Sequence, residues 1–300
     1  MSNLQLKRCV LCNLKSYDLS ITTSFETKHG ISGHLFEMIE YFYHFKFQKG
    51  IKCCILISDG TTYDEFFNSL LNKYEFSDEE LKIIKENTFF KFQPMTLICN
   101  DILFVDGSLR VKNSDILCKR KIFLRCSDDE FLDKADLVLQ DYDLYEPINN
   151  SKHYKKKLLF SKFKANLNGD SKIAMFYSTS NMRKLSFSDL EKLTEKYNFE
   201  KYIILSNFII ETPKNVELKL IPIKDLWSSF GTYIYTGSTN VQKIDCSSRF
   251  IAECKFYNKE VIYNSMQMDK GLEVRKFDIE NNVNLELKVD DEITKLITGF

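Results

Sequence analysis

Proline and glycine are scarce, with 4 Pro and 10 Gly in 300 residues. So few chain breakers exclude long disordered or low-complexity segments. Net charge is missing as well, because 42 Lys and Arg balance 42 Asp and Glu. Without a global field, neither nucleic acid nor a membrane surface attracts the chain as a whole, and any such binding has to use a local patch. No apolar run reaches about 18 residues and no signal peptide opens the chain, so a soluble, cytoplasmic protein with no membrane partner is expected. The 9 cysteines include no CxxC…CxxC pair, only Cys9 and Cys12 in one apolar run. That excludes a zinc ribbon and predicts buried, reduced thiols. No D-x-D stands at a strand end, Asp128-Asp129 and Asp290-Asp291 reading as caps or solvated acids, so no metal and no cofactor is indicated. No G-x-G-x-x-G and no P-loop lysine is present either. Alanine is rare while Phe, Tyr, Lys, Ile and Asn abound, the bias of an AT-rich genome such as many phages and some bacteria carry.

What is present is alternation. The chain is 44% hydrophobic, enough for two medium domains with separate cores. Leu6 to Leu14 reads as a strand, Lys15 to Ser32 as a polar loop, and Gly33 to about Gln48 as a helix with Ser32 as its N-cap. Ile51 to Ser58 follows as an apolar strand. This βαβ unit predicts a parallel sheet. The loop, ending in His29-Gly30-Ile31-Ser32-Gly33, is long for a βα connection and marks a site. Helices at 63–74 and 77–87, the second opened by a Ser77-x-x-Glu80 capping box, and strands at 96–105, 121–125 and 136–140 continue the pattern. Ser151 to Asp170 differs. It carries six lysines between Lys152 and Lys164, interleaved with His153, Tyr154, Phe160 and Phe163. It reads as the domain junction, and either as a solvated charge run or, through Lys155, Lys156 and Lys157, as a phosphate-backbone contact with aromatic stacking partners.

A second βαβ unit starts at Ile173. The loop Ser178-Thr179-Ser180-Asn181-Met182-Arg183-Lys184 is hydroxyl-rich and basic, and a Ser186-x-x-Asp189 capping box opens the next helix. Strands follow at 201–206, 216–221 and 231–236. The stretch from Tyr235 to Tyr263 then reads as strand end, loop, helix and strand, with Asp245-Cys246-Ser247-Ser248 supplying N-cap residues. In the helix from Arg249 to Tyr257, Arg249 sits where the helix dipole disfavours a cation. Glu253 follows in the weaker order for a helical ion pair. A helix N-terminus with a cation beside it suits a phosphate, and a carboxylate one turn on suits a ribose diol. A solvated Arg–Glu pair is the plainer alternative. The expected class is α/β, with Rossmann-like domains at 1–160 and 161–300 whose parallel sheets face a central cleft. The last forty residues are acidic and weakly periodic, and the family resemblance described next implies that they return onto the first domain.

The Tyr235–Tyr263 constellation resembles the donor site of GT-B glycosyltransferases, in which a helix N-terminus faces the pyrophosphate of a nucleotide-sugar and a glutamate on that helix binds ribose. The resemblance covers this stretch closely and the rest of the chain as architecture. It implies a UDP-sugar donor held by Ser178, Thr179, Ser180, Arg183, Lys184, Ser248, Arg249 and Glu253, with Tyr235 or Tyr233 stacking on the base. The acceptor hydroxyl then needs a base. His34 and Glu37, at i and i+3 behind the acceptor-side loop of Gly30, Ser32 and Gly33, are first choice, with Asp106, Asp18 and Asp59 as rivals. In plan the chain is similar to phage enzymes that glycosylate hydroxymethylated cytosines, which implies DNA as acceptor, a host cytoplasmic location and a monomer or weak dimer. A transferase acting on a surface glycan and a non-catalytic α/β nucleic-acid-binding protein are the alternatives.

Overall fold

The computed structural model describes residues 17–23, 33–58, 62–92, 102–106, 119–125, 135–140, 151–153, 156–157, 162–164, 168–178, 185–206, 208–220, 225–236, 249–264, 283–284 and 291–299. The protein is α/β, and the strands of both its large sheets run parallel. It divides into two compact units, residues 1–163 with 286–300, and residues 164–285.

The first unit is built on β1 (Leu19–Thr23), which pairs with β2 (Cys53–Ser58) on one side and β4 (Ile102–Asp106) on the other. This corrects the expectation that 15–32 is all loop. Leu19 and Ile21 are buried, and Ser20 places its hydroxyl 3.4 Å from the Cys54 sulfur. Ser20 therefore fits a central strand, because its buried hydroxyl finds a partner. The expected strand at 6–14 lies outside the described residues. Helix α1 (Gly33–Tyr43) runs on into a π-helical turn, His44–Gln48. Gly50, at φ +69°, lets the chain reverse so that the Ile51 N–H donates to the Phe45 carbonyl at 2.9 Å. Helices α2 (Tyr63–Lys73) and α3 (Asp78–Glu86) each open on a capping box, Thr62 with Glu65 and Ser77 with Glu80. Strand β3 (Thr88–Phe92), absent from the sequence reading, pairs outside β2. Strands β5 (Arg120–Arg125), β6 (Leu137–Gln140) and β7 (Ser151–His153) complete the order β3-β2-β1-β4-β5-β6-β7.

The lysine-rich segment is thus not a plain junction. Its first residues form β7, Lys156–Lys157 form a two-residue strand, β8, and Lys162 and Phe163 pack into the first unit. Phe163 is buried edge-on against Tyr74, and so is not an exposed stacking partner. Lys162 Nζ lies 2.7 and 2.9 Å from the two carboxylate oxygens of Glu80, which also accepts the Tyr43 hydroxyl. Burial pushes the Glu80 carboxyl up, but its bonds from Lys162, Tyr43 and the Ser77 N–H outweigh this and hold it below the usual carboxylate range. Burial pushes Lys162 down, and the same bonds carry it above the usual ammonium range. A depressed carboxyl stabilises the fold above its unfolded-state pKa and loses that contribution as pH falls through the folded one. A raised ammonium stabilises below its unfolded pKa and loses it as pH rises through the folded one. Glu80→Gln should therefore cost about 1.5–3 kcal/mol near neutrality. Urea unfolding should show the gap to wild type closing in acid, as Glu80 becomes protonated in the folded protein, and again in strong alkali.

Helix α6 (Asp291–Thr298) belongs to this unit, with Thr294, Ile297 and Thr298 buried. His44 lies 2.6 Å from Gln48 Oε1 through Nδ1 and 3.1 Å from Thr294 Oγ1 through Nε2, which ties α6 to the π-helical turn.

The second unit contains β9 (Ile173–Ser178), α4 (Phe187–Lys196), β10 (Lys201–Ser206), β11 (Val216–Leu220), β12 (Thr232–Thr236), α5 (Arg249–Phe256) and β13 (Glu260–Asn264). Its strand order is β11-β10-β9-β12-β13. Helix α4 packs Leu190 and Leu193 with Ala174, Phe176, Tyr202, Ile204 and Ile234. Helix α5 packs Ile251 and Cys254 with Met175, Ile203, Leu205, Tyr233 and Tyr235. Alternate residues of each strand enter the two cores, as a sheet covered on both faces requires.

Candidate functional site at the switch point of the second unit

In a doubly wound sheet the strand order reverses at one point, and ligands bind beyond the strand C-termini there. That point lies between β1 and β4 in the first unit and between β9 and β12 in the second. The two differ. Strands β1 and β4 pair from Leu19/Ile102 to Thr22/Val105, almost to their ends. Strands β9 and β12 pair only through Ala174/Thr232 and Met175/Tyr233. Yet β9 stays paired with β10 to Ser178/Ser206, and β12 with β13 to Thr236/Asn264. The hydrogen-bonded ladder of the second sheet therefore parts at its switch point, three residues before β9 and β12 end. In sequence, residues 179–184 follow β9, and residues 237–248 separate β12 from α5.

The parted ends are polar and buried. Ser178 and Ser206 are both 0% exposed, Thr236 2% and Asn264 3%. Ser178 Oγ accepts the Leu185 N–H at 3.1 Å, closing the base of the 179–184 loop. Asn264 donates from Nδ2 to Thr236 Oγ1 at 3.2 Å, while its Oδ1 accepts from Lys196 Nζ at 2.6 Å and the Tyr197 hydroxyl at 2.9 Å. Of these four the sequence reading singled out Ser178 alone. The others become neighbours only once the strands are aligned.

Arg249 is the first residue of α5 and Glu253 stands one turn on, as the spacing predicted. They form a buried pair, Nε to Oε1 at 2.6 Å, with side chains 7% and 5% exposed. The weak ordering of an exposed helical pair is thus beside the point, because burial removes the screening that makes such pairs weak. Burial, with the Glu253 carboxylate adding, pushes the Cys254 thiol well above its ordinary value, so this sulfur is inert. Cys53, Cys54 and Cys254 are free and buried.

Tyr233 and Tyr235 lie in the core, 1% and 2% exposed, with Tyr235 edge-on to Tyr233 and Tyr263. Beside them is a set of half-buried rings that the sequence reading passed over. Phe250 stacks on Tyr177 at 5.7 Å and on Trp227 at 5.1 Å. Tyr177 is the penultimate residue of β9 and Phe250 the second of α5, so this wall joins the end of β9 to the first turn of α5.

In the first unit, Gly33 and His34 open α1, Glu37 is buried at 1%, and Asp106 is the last residue of β4. These positions share the C-terminal end of that unit's switch point, while Asp18 precedes β1 at the opposite end. Lys156 and Lys157 lie in β8. Gly30, Ser32, Asp59, Lys155, Thr179, Ser180, Arg183, Lys184 and Ser248 lie outside the described residues.

Among the described residues no group of three or more His, Cys, Asp or Glu side chains is arranged to hold a metal ion. Among them, too, no helix is long and apolar enough to cross a membrane. No protein-family model matches the chain, and no curated protein matches it in sequence.

Proposed function

We propose that the chain is a glycosyltransferase of GT-B plan, taking the sugar of a UDP-sugar to a hydroxyl, with hydroxymethylcytosine in DNA as the acceptor. The observation that carries the reading is the end of the β9–β12 ladder at Met175/Tyr233, three residues before either strand ends. It lies where a doubly wound unit binds nucleotides, with Arg249 at the start of the helix that follows. In this reading the diphosphate lies at the N-terminus of α5, and the 178–184 loop stabilises charge on the leaving group. The base rests on the Tyr177–Phe250 wall. The first unit presents the acceptor, with His34 as base and Asp106 as its rival, and Lys155 to Lys157 touch the DNA backbone.

The test is mass spectrometry of nucleosides after hydroxymethylcytosine DNA is incubated with the chain and a panel of UDP-sugars. The reading predicts a nucleoside heavier by one sugar residue with one donor of the panel. Unmodified DNA with every donor, alongside sugar transfer to a glycan acceptor, would keep the enzyme class and overturn the acceptor. DNA binding with no transfer and no nucleotide binding would overturn both.

A further inference from the structure

Strand β11 ends the second sheet, and among the described strands it pairs with β10 alone. A parallel crossover usually takes a dozen residues or more and is most often a helix. Residues 208–215, which lead from β10 into β11, form no helix. That margin of the sheet exposes Ile209 at 82% and Leu220 at 49%. The Asn215 carbonyl accepts the Tyr202 N–H at 3.0 Å. Main-chain groups alternate along a strand, so Glu217 and Lys219 turn theirs to β10, while Leu218 and Leu220 turn theirs outward. The Val216 N–H is satisfied within the chain, donating to the Pro213 carbonyl at 3.0 Å. Side chains alternate as well. Val216 and Leu218 pack on the core beneath α4, and Glu217 shares the other face with Lys219, pairing with it and with Lys201. These charged side chains are between 37% and 48% exposed, so their pairs are weak and free to rearrange.

Charges on an edge strand ordinarily discourage pairing. The edge Val216-Glu217-Leu218-Lys219-Leu220 instead reads as its own complement. Laid antiparallel on a second copy about a two-fold axis at Leu218, each Glu217 faces the second copy's Lys219, and Val216 faces Leu220. The Leu218 N–H of each copy then donates to the Leu218 carbonyl of the other, and the Leu220 N–H to the Val216 carbonyl. An axis at 217 or 219 sets like charges opposite each other, which disfavours those registers. We propose that β11 is a dimerisation edge, and that two copies of this chain join through it, antiparallel and centred on Leu218, into one continuous sheet. Such an interface is isologous and closes after two copies. It does not depend on the enzymatic reading above.

Sedimentation equilibrium of the full chain over a range of concentrations tests this. The wild type should show a monomer–dimer equilibrium. Glu217→Lys and Lys219→Glu should each weaken it by about 10- to 100-fold, because the two-fold axis turns one reversal into two like-charge contacts. A mixture of these two variants should form a one-to-one dimer at least as tight as the wild type, since every facing pair is then opposite in sign. Both changes in one chain should also restore the dimer, and this second variant keeps the net charge. Urea unfolding confirms that each variant is folded, and a misfolded chain would not pair in the mixture. A wild type that stays monomeric up to the limit of its solubility overturns the proposal. So does a dimer that either reversal leaves intact, because it then joins through another surface.

Discussion

Arg249→Ala should destabilise the second unit by about 3–5 kcal/mol, the cost of removing one partner from a buried ion pair. The Glu253 carboxylate would remain at 5% exposure on α5 without the guanidinium 2.6 Å away. The adjacent Cys254 responds to that charge: burial pushes its thiol up and the Glu253 carboxylate adds to this. Helix α5 packs Ile251 and Cys254 onto the sheet, so strain at its first turn is felt in the core. Arg249→Met combined with Glu253→Leu should cost less than either change alone, because apolar groups of similar volume carry no desolvation cost. Urea unfolding of the wild type and the four variants checks this. A loss below ~1 kcal/mol for Arg249→Ala, or losses that add, would place the pair among weak exposed ones.

His34→Ala should lower turnover by about 10²–10⁴, the range for removing a general base, with donor affinity nearly intact. His34 is the second residue of α1, directly after the loop that leaves β1, and Asp106 ends the adjacent β4. Both therefore stand where the first unit would present an acceptor. Donor affinity is spared in the proposed reading, which assigns the nucleotide to the second unit. Steady-state kinetics together with UDP titration separates the two effects. Near-normal turnover in His34→Ala with none in Asp106→Asn would transfer the role of base to the carboxylate.

Much of the second unit was legible because its signals are local. The Ser186 capping box sits directly ahead of a helix with apolar residues at helical spacing, and strands β9, β10 and β12 are short apolar runs bounded by polar residues. The centre of the first unit was not. Strand β1 offers only Leu19 and Ile21 as apolar anchors among Ser20, Thr22 and Thr23, and its polar atoms are accommodated by partners such as Cys54 that are distant in sequence. Helix α6 was hidden because its buried residues Thr294 and Thr298 are polar, and its bond to His44 spans 250 residues. At the site, the 249/253 spacing announced a pair, but nothing in the sequence told a buried pair from a solvated one. The early end of the β9–β12 ladder is a property of register, and register is written in pairings rather than in any one strand.

That UDP binds where this ladder ends is the central claim, and hydrogen exchange with and without UDP tests it most directly. The account predicts slowed exchange in peptides spanning Tyr177–Leu190 and Tyr235–Cys254, the segments that border the parted ends, with β1–β3 unchanged. Protection confined to the first unit, or no change anywhere at saturating UDP, would contradict it.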